Sequence, residues 1–141
     1  MRQEVEVGMG TYKGALIAWA SSHTTRVVTS STEAECHAIL HASKENTWVR
    51  EFINELRMEK HTDATLIHED NIATIALMKG GGKHKRSKHF TVDFDAMREY
   101  IKEGEIDVVY CETENMTADM FTKLLPKRLF EKHRDTIMSK V

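Results

Sequence analysis

Proline occurs once in these 141 residues, at Pro126, and no Ser/Gly-rich stretch accompanies it. Without such punctuation the sequence offers no domain boundary, and its length suits one core better than two. Cysteine is nearly as scarce. Cys36 and Cys111 stand far apart and cannot frame a disulfide-stapled secreted domain. Both are expected as reduced thiols of an intracellular protein, cytoplasmic or nuclear. No apolar run approaches the roughly 20 residues of a membrane helix, so no membrane partner is expected. The opening MRQEVEVGMG carries two acids and no hydrophobic block, unlike a signal peptide. A strong charge of one sign is missing too. With net charge −2 and pI near 6.4, bulk electrostatics alone do not announce a nucleic-acid binder.

What is present is ordinary globular material, 40% hydrophobic and 30% charged. The charge is unevenly placed. No acid falls between Asp70 and Asp93, whereas Lys79, Lys83, Lys85, Arg86 and Lys88 crowd together there. Such a strip can hold a phosphate backbone, or be no more than a solvated loop.

Hydrophobic patterning predicts a mixed α/β fold with an antiparallel start. Strands are expected within residues 4–29: around Val5 and Val7, over Ala15–Trp19, and over Arg26–Thr29, with Gly8, Gly10 and Gly14 marking a turn between the first two. A long helix is expected over 30–58, opened by a Ser30/Glu33 or Thr32/Glu35 capping box. Its stripe runs through Glu35, Ile39, Ala42, Val49 and Ile53, widened by Trp48, Phe52 and Leu56, with Glu33 opposite. A strand over 64–68, a helix over 71–79 ended by Gly80-Gly81-Gly82, a helix over 90–102 and a strand over 105–110 follow. Helices at 115–123 and 127–138 complete a single domain spanning 1–141.

Five segments then match one family in order. Ser30-Ser31-Thr32-Glu33-Ala34-Glu35 resembles the SSTEAE opening of its long helix, and Trp19 fits its SW-containing strand. His68-Glu69-Asp70-Asn71-Ile72-Ala73-Thr74-Ile75-Ala76 resembles C-D-N-x-x-A-I-A-L. Lys85-Arg86-Ser87-Lys88-His89 resembles H-x-R-T/S-K-H-I, and Ala118-Asp119-Met120-Phe121-Thr122-Lys123 with Leu125-Pro126 resembles A-D-I-F-T-K-x-L-P. From about residue 15 to 138 the chain resembles the ribonuclease H domain that closes the polyprotein of copia-type LTR retrotransposons.

That resemblance implies a ribonuclease H-like mixed sheet flanked by helices, and hydrolysis of the RNA strand of RNA–DNA hybrids. It implies four carboxylates around two Mg²⁺ (or Mn²⁺) ions, because hard cations take oxygen ligands and paired metals neutralise the attacking and departing oxygens. Glu35, Asp70 and Asp119 map onto three of the four as metal ligands and catalytic residues. Each has a plainer alternative: capping box for Glu35, helix cap for Asp70, helix-terminus charge for Asp119. Lys83, Lys85, Arg86, Lys88 and His89 become the candidate contacts to nucleic acid. The reverse transcriptase portion of the same polyprotein is the implied partner.

The chain departs from the pattern in one respect. The family's first aspartate lies on an opening strand in a Y-S-D-A-D-W-A-like motif, and no Asp precedes Glu35 here. The opening strand is therefore expected to be missing and the two-metal site incomplete. In the ribonuclease H fold that strand lies inside the sheet, so its loss exposes two backbone edges for Met1–Val7 or another chain's strand to fill. Two functional readings stay open: a Mg²⁺-dependent hydrolase of a transposable element, or an inactive, degenerate or domesticated copy binding nucleic acid or protein. The pair His37/His41 has zinc-like i, i+4 spacing, but Ala38 replaces the glutamate of H-E-x-x-H and both point away from Glu35. Cys111 reads as a small buried hydrophobe. Thr113 and Glu114 occupy the loop where many cellular ribonucleases H carry a histidine.

Overall fold

The computed structural model describes residues 5–12, 15–23, 31–56, 62–80 and 88–138. The expected strand at 26–29, the capping boxes' Ser30 and most of the basic strip lie outside these residues. Strands β1 (Val5–Tyr12) and β2 (Ala15–His23) form an antiparallel hairpin in which Met9 faces Trp19. Gly8 and Gly10 sit inside β1 rather than in a turn, with a bulge between Gly10 and Thr11. Val5–Val7 pair with Ser21–His23, so this part of the N-terminal segment is held in the hairpin.

Helix α1 (Ser31–Glu55) leads to β3 (Thr65–Glu69), and α2 (Ile72–Lys79) and α3 (Lys88–Lys102) cross over to β4 (Ile106–Tyr110). β3 and β4 pair in parallel, as such a crossover requires. The chain closes with two 3-10 turns, Thr113–Asn115 and Thr117–Phe121, and α4 (Lys127–Ile137). The architecture is mixed α/β and compatible with a ribonuclease H-like fold. Among the described residues its strands fall into two two-stranded sheets, β1-β2 and β3-β4.

One core joins α1 to α2, α3 and β4. Cys36, Ile39 and Leu40 of α1, Met78 of α2, Phe94 and Met97 of α3, and Val108 of β4 pack together, with Ile67, Ile75, Tyr100 and Ile101 around them. The buried face of α1 is wider than expected: Cys36, Leu40 and Ser43 join Ile39 and Ile53 inside, and Glu33, opposite Glu35 on the helix, is buried as well. Trp48, Phe52 and Leu56 do not widen the core face. They are exposed, and Trp48 stacks on Phe52 at 5.5 Å between ring centroids. Helix α1 packs against both β1 and α3, which buries more than one flank.

Two local corrections have clear causes. The expected helix at 115–123 is instead a pair of 3-10 turns, because Met116 adopts an extended conformation between them and the backbone closes three-residue bonds such as Asp119 N–H to Met116 O. Gly80 ends α2 in an extended conformation, not a left-handed one. A Cβ there would lie 2.6 Å from Ala76 O, the oxygen that accepts the Gly80 N–H.

Candidate metal centre

Glu69 is the last residue of β3, on the side of the strand that Ile67 turns toward the core. Asp70 follows it, just outside the strand. Helix α1 brings Glu35 across from the other side of the core. Carboxylate oxygens of Glu35, Glu69 and Asp70 all lie within 4.8 Å of one another, with Glu69 buried and the other two half-buried.

Hydrogen bonds fix each acid. The Thr74 hydroxyl donates to Glu35 Oε2 at 2.9 Å, the Asn71 N–H to Glu69 Oε1 at 2.9 Å, and the Thr113 hydroxyl to Asp70 Oδ2 at 3.0 Å. The N-cap of α2 is Asn71, whose Oδ1 accepts from Ala73 N–H and Thr74 N–H. Asp70 is thus spared the capping role that was its plainer alternative, and its carboxylate is turned to the cluster.

Electrostatics mark the cluster as strained for anions. Burial first of all, then the charges of Glu35 and Asp70, push Glu69 up from 4.5 to about 7, against the opposing hydrogen bond from Asn71 N–H. A divalent cation fits such a donor set: hard, oxygen-only, anionic and packed more closely than like charges prefer.

Of the three acids picked out in the sequence, Glu35 and Asp70 meet here and Asp119 does not. Asp119 lies in the second 3-10 turn and accepts an ion pair from Lys123 at 2.9 Å. Glu69 and Thr74 were not singled out. Strand periodicity carries the signal for Glu69, since β3 extends one residue past His68 and Glu69 shares Ile67's face. For Thr74 the signal is its i, i+4 relation to buried Met78 on the inner side of α2.

Other candidates sit elsewhere. Lys83, Lys85 and Arg86 fall outside the described residues, while Lys88 and His89 form the first turn of α3. His37 and His41 lie on α1, half-buried and exposed. Neither cysteine forms a disulfide; Cys111 is only half-buried, and burial and the charge of Asp70 raise its thiol's pKa. The loop after β4 is anchored by Lys132 of α4, whose Nζ donates to Glu114 O at 3.1 Å and Asn115 Oδ1 at 2.6 Å. Among the described residues no helix is long and apolar enough to cross a membrane.

No family model matches the chain, and no solved structure matches it. Curated proteins do. It is 33% identical over 121 residues to the retrovirus-related Pol polyprotein from transposon TNT 1-94 of Nicotiana tabacum, a stretch covering 86% of this chain and 9% of that protein. It is 32% identical over 115 residues to the retrovirus-related Pol polyprotein from transposon RE1 of Arabidopsis thaliana, covering 82% and 8%. The transposon Ty1-DR1 Gag-Pol polyprotein of Saccharomyces cerevisiae is 29% identical over 119 residues, covering 84% and 7%. The chain spans less than a tenth of the length of these relatives, while most of the chain itself is matched. It is a homologue of one segment of the Pol polyproteins of copia-type retrotransposons.

Proposed function

We propose that the chain is a ribonuclease H-like nuclease domain that binds Mg²⁺ or Mn²⁺ and cuts the RNA strand of RNA–DNA hybrids. The observation that carries this is the cluster of Glu35, Glu69 and Asp70 within 4.8 Å. These residues would hold the ion, with water completing its coordination. A bound divalent ion supplies positive charge against the negative charge that develops on the attacking and departing oxygens.

The chain's own groups prepare that site. Thr74 and Thr113 orient Glu35 and Asp70, and Glu69 gives up its proton when a cation arrives, so binding releases a proton at neutral pH. The basic stretch Lys83, Lys85, Arg86, Lys88 and His89 is suited to the hybrid's phosphates, giving salt-sensitive binding with little sequence preference. Ribose 2′-hydroxyls would distinguish the RNA strand. Among the described residues β1 and β3 each pair on one edge only, and the other edge suits an added strand, from another chain or from the reverse transcriptase portion of a Pol polyprotein. Such a strand is also a route for a further carboxylate.

A second reading is favoured by one observation. Asp119 is occupied by Lys123 instead of joining the cluster, which suits a copy that binds nucleic acid without cutting it. Cleavage of an end-labelled RNA–DNA hybrid with Mg²⁺ or Mn²⁺ separates the two. Cleavage lost in Asp70→Asn supports the nuclease; salt-sensitive binding with no cleavage supports the binding module.

A further inference from the structure

Thr74 has no exposed surface, yet carries a hydroxyl that must find a partner. A threonine in a helix can return that hydroxyl to its own helix's backbone. Here it reaches a different helix and donates to Glu35 Oε2 at 2.9 Å, across 39 residues of sequence. Its position is firmly set. Asn71 caps α2 through both Ala73 N–H and Thr74 N–H, and Met78, one turn on, is locked in the core at 2% exposure. The motif that this junction resembles, C-D-N-x-x-A-I-A-L, has alanine where this chain has Thr74, and cysteine where it has Glu69. Both departures put polar groups at the carboxylate cluster, one an added acid and the other a donor to a neighbouring acid.

We propose that Thr74 is a positioning residue for divalent-cation binding, holding the Glu35 carboxylate in the orientation that faces Glu69 and Asp70. The inference rests on the metal-binding reading of the preceding section. Three carboxylates this close repel when empty, and a flexible glutamate would swing away from the other two. A hydrogen bond from a fully buried, capped position counters that swing. Thr74 touches no reacting atom; it acts through Glu35.

The test is Mn²⁺ binding alone, measured by calorimetry on the full chain, for wild type, Thr74→Val, Thr74→Ala, Thr74→Ser and each of the first two combined with Glu35→Gln. Thr74→Val and Thr74→Ala should bind Mn²⁺ about tenfold more weakly, the loss usual for a group that orients a metal ligand. Thr74→Ser keeps the hydroxyl and should restore affinity. In the Glu35→Gln background the loss should vanish, which a purely structural role would not produce. Melting curves confirm that the variants compared are folded, and two replacements of different size guard against failure of one. Wild-type affinity retained in both Thr74→Val and Thr74→Ala overturns the proposal while leaving the metal site standing. Wild type that binds no Mn²⁺ overturns both.

Discussion

The Thr113 hydroxyl donates to Asp70 Oδ2 at 3.0 Å, tying the loop after β4 to the end of β3 across 43 residues. Lys132 holds the same loop from α4. Unlike Thr74, Thr113 is exposed, so water can take over its hydrogen bond. Thr113→Val should therefore change stability by less than about 0.5 kcal/mol and weaken Mn²⁺ binding clearly less than Thr74→Val does. Calorimetry on both variants side by side checks the ranking.

Glu69 gives the protein an unusual dependence on pH. Its folded pKa, about 7, lies above the unfolded value of 4.5, so between these values the folded state binds more protons. Stability contributed by protonated Glu69 is full below pH 4.5 and is lost as pH rises through 7. Allowing for water at the half-open site, the loss is roughly 2 kcal/mol. Urea unfolding at pH 5 and pH 7.5 should show this fall in wild type, and Glu69→Gln should remove it. Mn²⁺ at pH 7.5 should recover stability in wild type and not in Glu69→Gln.

Trp19 of β2 and Phe121 of the second 3-10 turn stack with ring centroids 5.8 Å apart and planes within 9°. The pair joins the hairpin to the segment carrying Asp119. A double-mutant cycle of Trp19→Ala and Phe121→Ala should return a coupling energy of about 1 kcal/mol. A coupling near zero would mean that the hairpin is not docked on this turn.

The contrast between the core and the exposed aromatic pair on α1 is equally measurable. Met97, 1% exposed at the centre of the core, should cost roughly 2–5 kcal/mol when replaced by alanine. Trp48, 60% exposed and supported by its stack on Phe52, should cost less than about 1.5 kcal/mol despite its larger side chain. Denaturant midpoints of Met97→Ala and Trp48→Ala check this order.

Much of the architecture was legible because it rests on local chemistry. The alternation around Ile67, the helical spacing of Phe94, Met97, Tyr100 and Ile101, and the β-branched run at 106–110 announce their own conformations. What could not be read depends on partners distant in sequence. Trp48 and Phe52 have the spacing of a core stripe, yet they stay exposed and stack on each other. The 3-10 turns break where Met116 extends, a choice no propensity at Met116 dictates. At the candidate site, Glu35 and Asp70 were visible through motif resemblance. Glu69 was hidden by a strand boundary drawn one residue short, and Thr74 by a hydroxyl whose partner is 39 residues away.

The most direct test of the carboxylate centre is a titration of the ¹⁵N-labelled protein with substoichiometric Mn²⁺, following the paramagnetic broadening of amide signals. The account predicts that Glu35, Glu69, Asp70 and Asn71 broaden first and together, and that Asp70→Asn abolishes the effect. Broadening that begins at the exposed acids of α3 and α4, or spreads evenly over the surface, would contradict it.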